Sequence, residues 1–400
     1  MRVLFVSQSS PLKEGGAETR TREVAVRLVR AGHQVSVLCG RTSTGDPPEQ
    51  RVEGVEILSR KVLPDFLLRR FPFPHYFSLA AANLFLMFHV LVLLKRQRFD
   101  LIREDIAPFP PTFLLALFRL RTPRIAVMHM QPERLKDWVR YYGILYGLAG
   151  AVMGGLLRSG ALKYDGIVCA AGWFAANLKR HPAISQRTRC VPNGVDLTRF
   201  APRPDAGVAR AGADIRLLSV GRLAHTKGHR YLIEALAMLK DEYPGLSLDI
   251  IGNGDLRESL LALAGRLDVA RRVRILAPVA HDEMPDLYRR YDFFVMPSLW
   301  EGQPISLIEA MASMLPVVAT QIDGIAEVLD SDCATFAQSS DSRNLADQLQ
   351  WAFDNHSLAW RKAERAYERA RNYDWALTAS RELESAIPAP PAGREVYGRQ

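Results

Sequence analysis

A chain of 400 residues with 48% apolar side chains is too long for one core and too apolar for disorder, so we expect two domains. Its charge is uneven, because residues 1–200 contain 29 Lys and Arg against 15 Asp and Glu, whereas residues 201–400 contain 23 against 28. The four cysteines are far apart and form no Cys-x-x-Cys pair, which argues against a zinc site or a disulfide framework and favours a reducing cytoplasm.

The chain begins with a βαβ pattern. Arg2 to Ser7 predicts a buried strand, Ala17 to Ala31 a helix and Gln34 to Leu38 a second strand. The apolar run of the first strand is too short for a signal peptide. The loop before the helix carries Gly15 and Gly16, which let the backbone approach a phosphate or a sugar. It lacks the Gly-x-Gly-x-x-Gly pattern of nicotinamide-binding proteins, which disfavours a dehydrogenase.

Two apolar stretches follow in the first half, Leu79 to Leu94 and Tyr141 to Leu157. The first is shorter than a membrane span, so a buried helix is expected there. Residues 100–102 and 124–129 predict parallel strands. His129 would then lie at the C-terminal end of its strand, where α/β sheets bind ligands, although a hydrogen-bonded core histidine is the alternative. Residues 103–105 end the earlier strand and could present a group to an acceptor.

The second half begins after residues 201–214, whose prolines and glycines predict an interdomain linker. A strand over residues 215–220 leads into Gly221-Arg222 and Lys227, and a solvated loop is the alternative interpretation of these two cations. The next strand ends in Gly252-x-Gly254, which again lacks the third glycine of a dinucleotide fingerprint. The Asp-Ser-Asp triplet at residues 330–332 follows a helix and is interpreted as a turn.

The strongest pattern lies in residues 291–320. Phe293 to Met296 predicts a buried parallel strand, a loop follows it, and Pro304 suits the first position of a helix. The free N–H groups and positive dipole end of that helix predict a place for an anion such as phosphate. Glu301 and Glu309 flank this place, and a carboxylate can accept hydrogen bonds from both hydroxyls of a vicinal diol. Either glutamate taken alone is best interpreted as a solvated surface residue. The two together at this place are a more specific signal of a binding site.

These patterns together resemble the family 4 glycosyltransferases of the GT-B fold. The resemblance rests on Gly15-Gly16-x-Glu18, Asn193-Gly194-Val195-Asp196, Gly221-Arg222-Leu223 with Lys227-Gly228, Glu301-x7-Glu309, and the run from Ala310 to Thr320. The chain departs from the family at Gln303-Pro304, where the family commonly has Phe-Gly. Pro304 removes one backbone donor from the loop.

The resemblance implies an α/β protein with two Rossmann-like domains whose parallel sheets face each other across a cleft. Residues 1–200 would bind the acceptor and residues 201–375 the nucleotide sugar, and a helix from about residue 376 would pack back on the first domain. The implied reaction is a retaining transfer, in the hexosyltransferase class, from a nucleotide-diphosphate sugar to a hydroxyl of a glycan, a lipid-linked molecule or a small molecule. Neither a cofactor nor an obligatory metal is implied.

The resemblance also implies roles for single residues. Arg222 and Lys227 would stabilise the departing diphosphate, His129 would contact the donor sugar, Glu301 would lie near it, and Glu309 would bind the nucleotide ribose. The other implied donor-binding residues are Gly15, Gly16, Gly221, Gly252, Gly254, Gly302, Gln303, Pro304 and Ile305. No residue is implied as a metal ligand.

Other functions stay open at this point. A nucleotide-sugar epimerase can share the fold, and a non-catalytic carbohydrate-binding protein would not need both cations and both acids. Aromatic and basic residues within 63–77 and 135–157 predict peripheral binding of the first domain to anionic membranes, on the inner face of the membrane. The alternative is that they pack in the core and the acceptor is a soluble small molecule. No nucleic-acid partner is expected.

Overall fold

The structure is a computed structural model that describes residues 1–13, 15–41, 47–61, 86–106, 117, 120–129, 144–203 and 214–386. The chain divides into two compact units. The first comprises Met1–Lys13, Ala17–Val191 and Ala379–Gln400, and the second comprises Glu14–Gly16 and Pro192–Thr378. Each unit contains a sheet whose strands are mostly or wholly parallel.

The sheet of the first unit has eight strands in the order β3-β4-β2-β1-β5-β6-β7-β8. The strands are β1 (Arg2–Ser7), β2 (Gln34–Arg41), β3 (Glu49–Val52), β4 (Val55–Lys61), β5 (Leu101–Ile106), β6 (Arg124–Met128), β7 (Gly166–Cys169) and β8 (Thr188–Cys190). Neighbours are parallel except β3 and β4, which form an antiparallel hairpin. Glu53 and Gly54 both have positive φ there, as a type I′ turn requires.

Helices connect the parallel strands of this unit. Their bounds are Gly16–Arg30, residues 86–96, Ile144–Arg158, Gly172–Lys179 and Pro182–Ser185, and the C-terminal helix is Trp375–Glu384. Because helices cover a parallel sheet, its strands are buried along their length, and Val3 to Val6 in β1 are fully buried. No described helix is both long enough and apolar enough to cross a membrane.

The sheet of the second unit has six parallel strands in the order β11-β10-β9-β12-β13-β14. They are β9 (Arg216–Val220), β10 (Ser247–Ile251), β11 (Val273–Leu276), β12 (Phe293–Met296), β13 (Val317–Thr320) and β14 (Thr335–Ala337). The α-helices are His229–Leu239, Arg257–Arg266, Met284–Tyr288, Ile305–Ala312, Asp323–Ala326, Ser342–Asp354 and His356–Ala370, and His225–Lys227 is a 3₁₀ turn.

The strand order of the second unit reverses at β9. Strands β10 and β11 lie on one side of β9, and β12, β13 and β14 lie on the other. A parallel sheet wound this way leaves a crevice at the carboxyl ends of the two strands where the order reverses. The loops after β9 and β12 therefore flank the expected ligand site of this unit.

Several predicted elements are confirmed, and two details are wrong. Strands β1 and β12 have the predicted bounds, and residues 330–332 form a turn. Strand β5 continues to Ile106, so residues 103–105 lie inside it, and all three side chains are buried rather than presented to an acceptor. Pro304 has an extended backbone and precedes the helix that begins at Ile305, so it is not the first helical residue.

Residues 192–200 fold with the second unit, whereas the sequence pattern places them in the first domain. Asn193 Nδ2 donates a hydrogen bond to the Gln303 carbonyl at 2.8 Å, and Val195 pairs with Asp374. These contacts tie the segment to the loop after β12 and to the residue that precedes the C-terminal helix. Most of the predicted linker, residues 204–213, lies outside the described residues, as do residues 63–77 and 135–143 of the predicted membrane-binding segments.

Candidate functional site

Three loops meet at the carboxyl ends of β9, β10 and β12. Backbone hydrogen bonds hold them together, from Leu223 N to the Asn253 carbonyl at 2.9 Å and from Leu299 N to the Thr226 carbonyl at 2.8 Å. The loop after β9 is therefore fixed on both sides. It carries the two cations that the sequence pattern singles out.

Glycines allow these loops to approach so closely. Gly228 has a φ of +64°, and a Cβ there would lie 1.9 Å from the Pro297 carbonyl oxygen. A Cβ at Gly252 would lie 2.0 Å from the Gly221 carbonyl oxygen. Since no larger residue fits without moving backbone, these positions shape the site by packing. Gly252 is thus placed against the neighbouring loop, next to the cation-bearing segment.

Lys227 and Glu301 form an ion pair at the point where the strand order reverses. Lys227 Nζ lies 2.6 Å from Glu301 Oε1, and Ser298 Oγ donates to the same oxygen at 2.7 Å. The Glu301 side chain is 5% exposed and that of Lys227 is 26% exposed. A buried carboxylate thus holds an ammonium group that solvent and a ligand can still reach.

Arg222 lies five residues before Lys227 in the same loop and is exposed. It forms no ion pair with any residue that the structure describes. Arg222, Lys227 and Glu301 are called the switch-point cluster below. It combines one uncommitted guanidinium with one anchored ammonium, which is a suitable arrangement for a phosphate or diphosphate.

His229 borders this cluster and is missed by the sequence analysis. Burial, and then the nearby Lys227 charge, lower its pKa to about 3, so the imidazole is neutral at physiological pH. Its buried Nδ1 has no hydrogen-bond partner among the residues that the structure describes. The residue begins the helix His229–Leu239 immediately after Gly228. Nothing in the sequence distinguishes it from a helix-surface histidine, because its burial is a feature of the tertiary structure.

The helix Ile305–Ala312 begins at the same edge of the sheet. No side chain caps its N-terminus, and the first N–H groups of a helix have no intrahelical acceptor. Its positive dipole end therefore favours an anion. Gln303, before the helix, is buried and committed to Asn193, because its carbonyl and its side chain both accept hydrogen bonds from that residue.

Glu309 lies inside this helix and is buried. His281 Nε2 lies 3.0 Å from its Oε1, and the Tyr288 hydroxyl donates to its Oε2 at 3.0 Å. A carboxylate has about four acceptor positions, so two remain for other donors. Burial, and then the Glu309 charge, raise the pKa of Tyr288 well above its usual value. The sequence does not indicate either partner, because His281 and Tyr288 lie 28 and 21 residues before Glu309.

His129 in the first unit follows β6, as predicted. Its Nε2 lies 3.0 Å from Asp105 Oδ1, on the neighbouring strand β5. Asp105 is one of a series of buried charges that also includes Arg103, Glu382 and Arg20. These five residues are called the ion chain below. His129 is its most exposed member, because its side chain is 17% exposed and the others are 5% or less.

A second buried cluster involves Glu104 on β5. Glu104 accepts from Arg124 at 2.6 Å and from the Tyr164 hydroxyl at 3.0 Å. Successive side chains of a strand point to opposite faces, so this cluster lies across the sheet from the contacts of Arg103 and Asp105. It contains none of the predicted site residues, and its charges are paired within the core.

The remaining predicted residues and features have these positions. Gly15 precedes the helix that Gly16 begins. All four cysteines are described, and none of them forms a disulfide. Nowhere in the described ranges do three His, Cys, Asp or Glu side chains come close enough to hold a metal ion. A surface groove of about 700 Å³ in the second unit is lined by Met314, Cys333, Arg365 and neighbours, and it contains none of the predicted site residues.

Comparison with known families gives two matches. The model described as Glycosyltransferase Family 4 matches residues 14–199, and the one described as Glycosyl transferases group 1 matches residues 206–373. Among curated proteins, glycogen synthase of Mycobacterium tuberculosis (strain ATCC 25618 / H37Rv) is 27% identical over 421 residues. That alignment covers 100% of this chain and 97% of the relative.

Solved structures with a similar fold share little sequence. Sucrose-phosphate synthase from Thermosynechococcus elongatus has a TM-score of 0.81 at 19% identity, over 96% of this chain and 97% of that one. HepE of Anabaena in complex with UDP-glucose has a TM-score of 0.71 at 18% identity, over 96% and 99%. The similarity extends over both units of the chain.

Proposed function

We propose that the chain, which belongs to the family 4 glycosyltransferases of the GT-B fold, takes a nucleotide-sugar donor and transfers its hexosyl group with retention of configuration. We further propose that the reaction needs no obligatory metal. The observation that carries the proposal is the switch-point cluster. It offers an anchored ammonium and an exposed guanidinium at the carboxyl ends of β9 and β12.

The cluster suits the leaving group of such a reaction. A nucleoside diphosphate gains negative charge as its bond to the sugar breaks, and preorganised cations stabilise that charge. Lys227 keeps two of its three N–H donors free of Glu301, and Arg222 offers five donors. The N-terminus of the helix Ile305–Ala312 adds backbone donors. These groups would supply the positive charge that a bound cation supplies in other transferases.

Glu309 suits the ribose of the donor. Its carboxylate is held by His281 and Tyr288, one on each oxygen, and each oxygen has a further acceptor position. The two hydroxyls of a ribose could donate to the two oxygens together. Because both partners fix the plane of the carboxylate, little ordering would remain to be done when the nucleotide binds.

In the proposed reaction, the bond between the sugar C1 and the diphosphate oxygen breaks while the acceptor oxygen bonds to C1 on the same face. The acceptor proton passes to the departing phosphate oxygen, so no protein carboxylate has to act as a nucleophile. We assign His129 and Glu301 to the sugar, as the family resemblance implies. Glu301 has a second task, which is to hold Lys227 in place.

The first test is donor binding and turnover. UDP, GDP, ADP and dTDP are screened for thermal stabilisation, with UDP first because the HepE structure contains UDP-glucose. A nucleotide at 100 times its dissociation constant should add about 2.7 kcal/mol of stability. The matching sugar donor is then incubated with candidate acceptors, and the anomeric configuration of the product is read by NMR.

The outcomes separate the competing functions. Release of nucleoside diphosphate only with an added acceptor supports transfer. A changed donor sugar without an acceptor would instead identify an epimerase. Binding of a nucleotide sugar without any turnover, across all acceptors, would favour a non-catalytic binding protein. An inverted product would overturn retention while leaving the transferase assignment intact.

We also propose that the first unit binds anionic membranes peripherally, which would suit a lipid-linked acceptor. Helical residues 86–96 expose Phe88 (61%) and Leu91 (38%), and Lys95 and Arg96 are exposed at their end. Apolar side chains beside cations are the composition of an interfacial helix. Each basic residue near an anionic leaflet contributes about 1 kcal/mol.

Liposome cosedimentation tests this membrane proposal. The wild type should bind vesicles rich in phosphatidylserine more than neutral vesicles, and high salt should weaken the binding. Lys95→Glu/Arg96→Glu should reduce it, whereas Arg266→Glu, an exposed position in the second unit, should not. Equal binding to both vesicle types, or none, would leave a soluble acceptor as the better explanation.

A further inference from the structure

We propose that Glu382, in the C-terminal helix, is a positioning residue that fixes the tautomer and orientation of His129 through Arg103 and Asp105. The significance of this for catalysis rests on the proposed function, in which His129 contacts the sugar. The orientation itself can be measured without any activity.

The first contact sets the tautomer of His129. Asp105 lies 3.0 Å from His129 Nε2. Burial alone would raise the pKa of Asp105, but Arg103, His129 and Thr21 outweigh burial and lower it to about 2. An ionised carboxylate can only accept hydrogen bonds, so Nε2 must carry the proton. In the neutral imidazole, Nδ1 is then the acceptor that is left for another partner.

The second contact fixes the Asp105 carboxylate. Its Oδ1 is shared, because Arg103 Nη1 donates to it at 2.8 Å while His129 approaches it from the other strand. Its Oδ2 accepts from Thr21 Oγ1 at 2.7 Å. The carboxylate therefore turns only if Arg103 or Thr21 also moves. Its orientation, and with it that of the imidazole, depends on where the Arg103 guanidinium lies.

The third contact places that guanidinium. Arg103 Nε donates to Glu382 Oε2 at 2.7 Å, and the guanidinium carbon lies 4.5 Å from the centre of the Phe5 ring. Arg103 Nη2 is buried, and no described residue forms a hydrogen bond with it. Two carboxylates, one at each end, thus define the plane of the group. Without Glu382, Asp105 would be the only anion among these contacts.

The fourth contact anchors Glu382 itself. Arg20 Nε donates to Glu382 Oε1 at 2.8 Å, and Arg20 Nη2 also donates to the Val191 carbonyl at 2.9 Å. Two buried cations and two buried anions therefore balance one another. Neutralising Glu382 would leave Asp105 as the only anion of the ion chain, beside its two arginines, and Arg103 would then compete with His129 for Oδ1. The Nε2 proton would lose its acceptor, and the second tautomer of His129 would become populated.

The test combines Glu382→Gln with a matched control, Glu384→Gln, on the same helix. Glu384 is exposed and contacts only Ser380 among the described residues. The tautomer of His129 is read from its ¹⁵N ring shifts at neutral pH. We expect a single Nε2–H tautomer in the wild type and the control, and a mixture in Glu382→Gln. Turnover should fall about tenfold or more in that variant, with the donor KM changed less than twofold.

A second variant keeps the proposal testable if Glu382→Gln does not fold. Thr21→Val removes one hydrogen bond from Asp105 and no charge, so it should fold and populate the second tautomer to a smaller extent. Glu382→Asp, which keeps the charge, should restore part of the wild-type tautomer ratio. Unchanged His129 shifts in both Glu382→Gln and Thr21→Val would overturn the proposal, whatever the activity. If the wild-type protein has no transferase activity but Glu382→Gln still changes the tautomer of His129, the proposed function is refuted and the positioning role of Glu382 stands.

Discussion

The ion chain of the first unit and the switch-point cluster of the second unit use similar side chains in different parts of a parallel sheet. Arg103 and Asp105 project from within a strand, and Glu382 from a packed helix, so the charges are buried and mutually paired. Arg222, Lys227 and Glu301 project from loops at strand ends, where one cation is exposed and one is partly exposed. The first arrangement orients a side chain, and the second leaves charge available for a ligand.

The reason for this difference is solvation. A buried charge requires a partner, because removing an ion from water costs several kcal/mol. Once it is paired, the buried group has little hydrogen-bonding capacity left for a ligand. A loop at the end of a strand keeps part of the hydration of its cations, so the protein need not saturate them. Substitutions in the two regions should therefore have different consequences. Those in the loops should change catalysis with little effect on folding, and those in the ion chain should affect both.

The largest expected effect is on turnover in the switch-point cluster. Lys227→Ala and Arg222→Ala should each lower kcat by roughly 10²- to 10³-fold, the loss expected for one preorganised charge stabiliser. Arg266→Ala is the control, because Arg266 is also an exposed arginine of the second unit but lies in a helix away from the strand ends. Steady-state kinetics with the matching donor give the values. A kcat within threefold of wild type in folded variants would refute the role.

Glu301 of this cluster and Glu309 of the helix after it should differ in their kinetic effects. Glu309→Ala should mainly raise the donor KM, because ribose contacts are similar in the ground and transition states. Glu301→Ala should instead lower kcat, because it is assigned to the sugar and holds Lys227. The loss of transition-state stabilisation in the double variant Lys227→Ala/Glu301→Ala should be smaller than the sum of the losses in the two single variants. The reverse pattern would mean that the two acids are wrongly assigned.

Acid should destabilise the two units over different pH ranges. His229 has a pKa of about 3 when folded, against about 6.5 when unfolded, so the unfolded state binds more protons between these values. Stability is then lost as pH falls below 6.5, by about 1.4 kcal/mol per pH unit. Asp105, whose pKa is lowered to about 2, stabilises the fold above its unfolded pKa and loses that contribution only as pH falls towards 2.

Urea unfolding at several pH values tests this contrast. His229→Gln should flatten the dependence on pH between 6.5 and 4.5, because the group that takes up the proton on unfolding is gone. His225→Gln, an exposed histidine in the same loop, should keep the wild-type slope. Equal slopes in wild type and His229→Gln would show that this histidine can be protonated in the folded protein.

Removal of metal should have the smallest effect. If Arg222 and Lys227 supply the positive charge at the diphosphate, turnover in excess chelator should stay within about twofold of the untreated enzyme. Activity of a chelator-treated sample is compared with that of one given magnesium or manganese afterwards. Complete loss with chelator, restored by either ion, would show that the cations of the switch-point cluster are insufficient.

Much of the architecture follows from local pattern. Apolar runs such as Val3 to Val6 and Phe293 to Met296, bounded by turn residues, predict strands because a strand buried on both faces needs continuous apolar side chains. Arg222 and Lys227 are recognisable because both lie in the loop after β9 at a fixed spacing. Glu301 and Glu309 are recognisable for the same reason, in the loop and the helix after β12. The hairpin β3–β4 is not predicted, since its strands are short and only partly apolar.

The pairing of charges could not be predicted, because partners come from distant parts of the chain. Glu301 is 74 residues from Lys227, and Glu382 is 279 residues from Arg103. The triplet at residues 103–105 reads as the end of a strand, since three charged residues in a row suit solvent. Only the tertiary structure brings Glu382, Arg124 and Thr21 to it from elsewhere, and buried charges are stable only with such partners. Sequence thus determined which residues carry charge at the strand ends, and packing decided which of those charges are neutralised and which are left for a ligand.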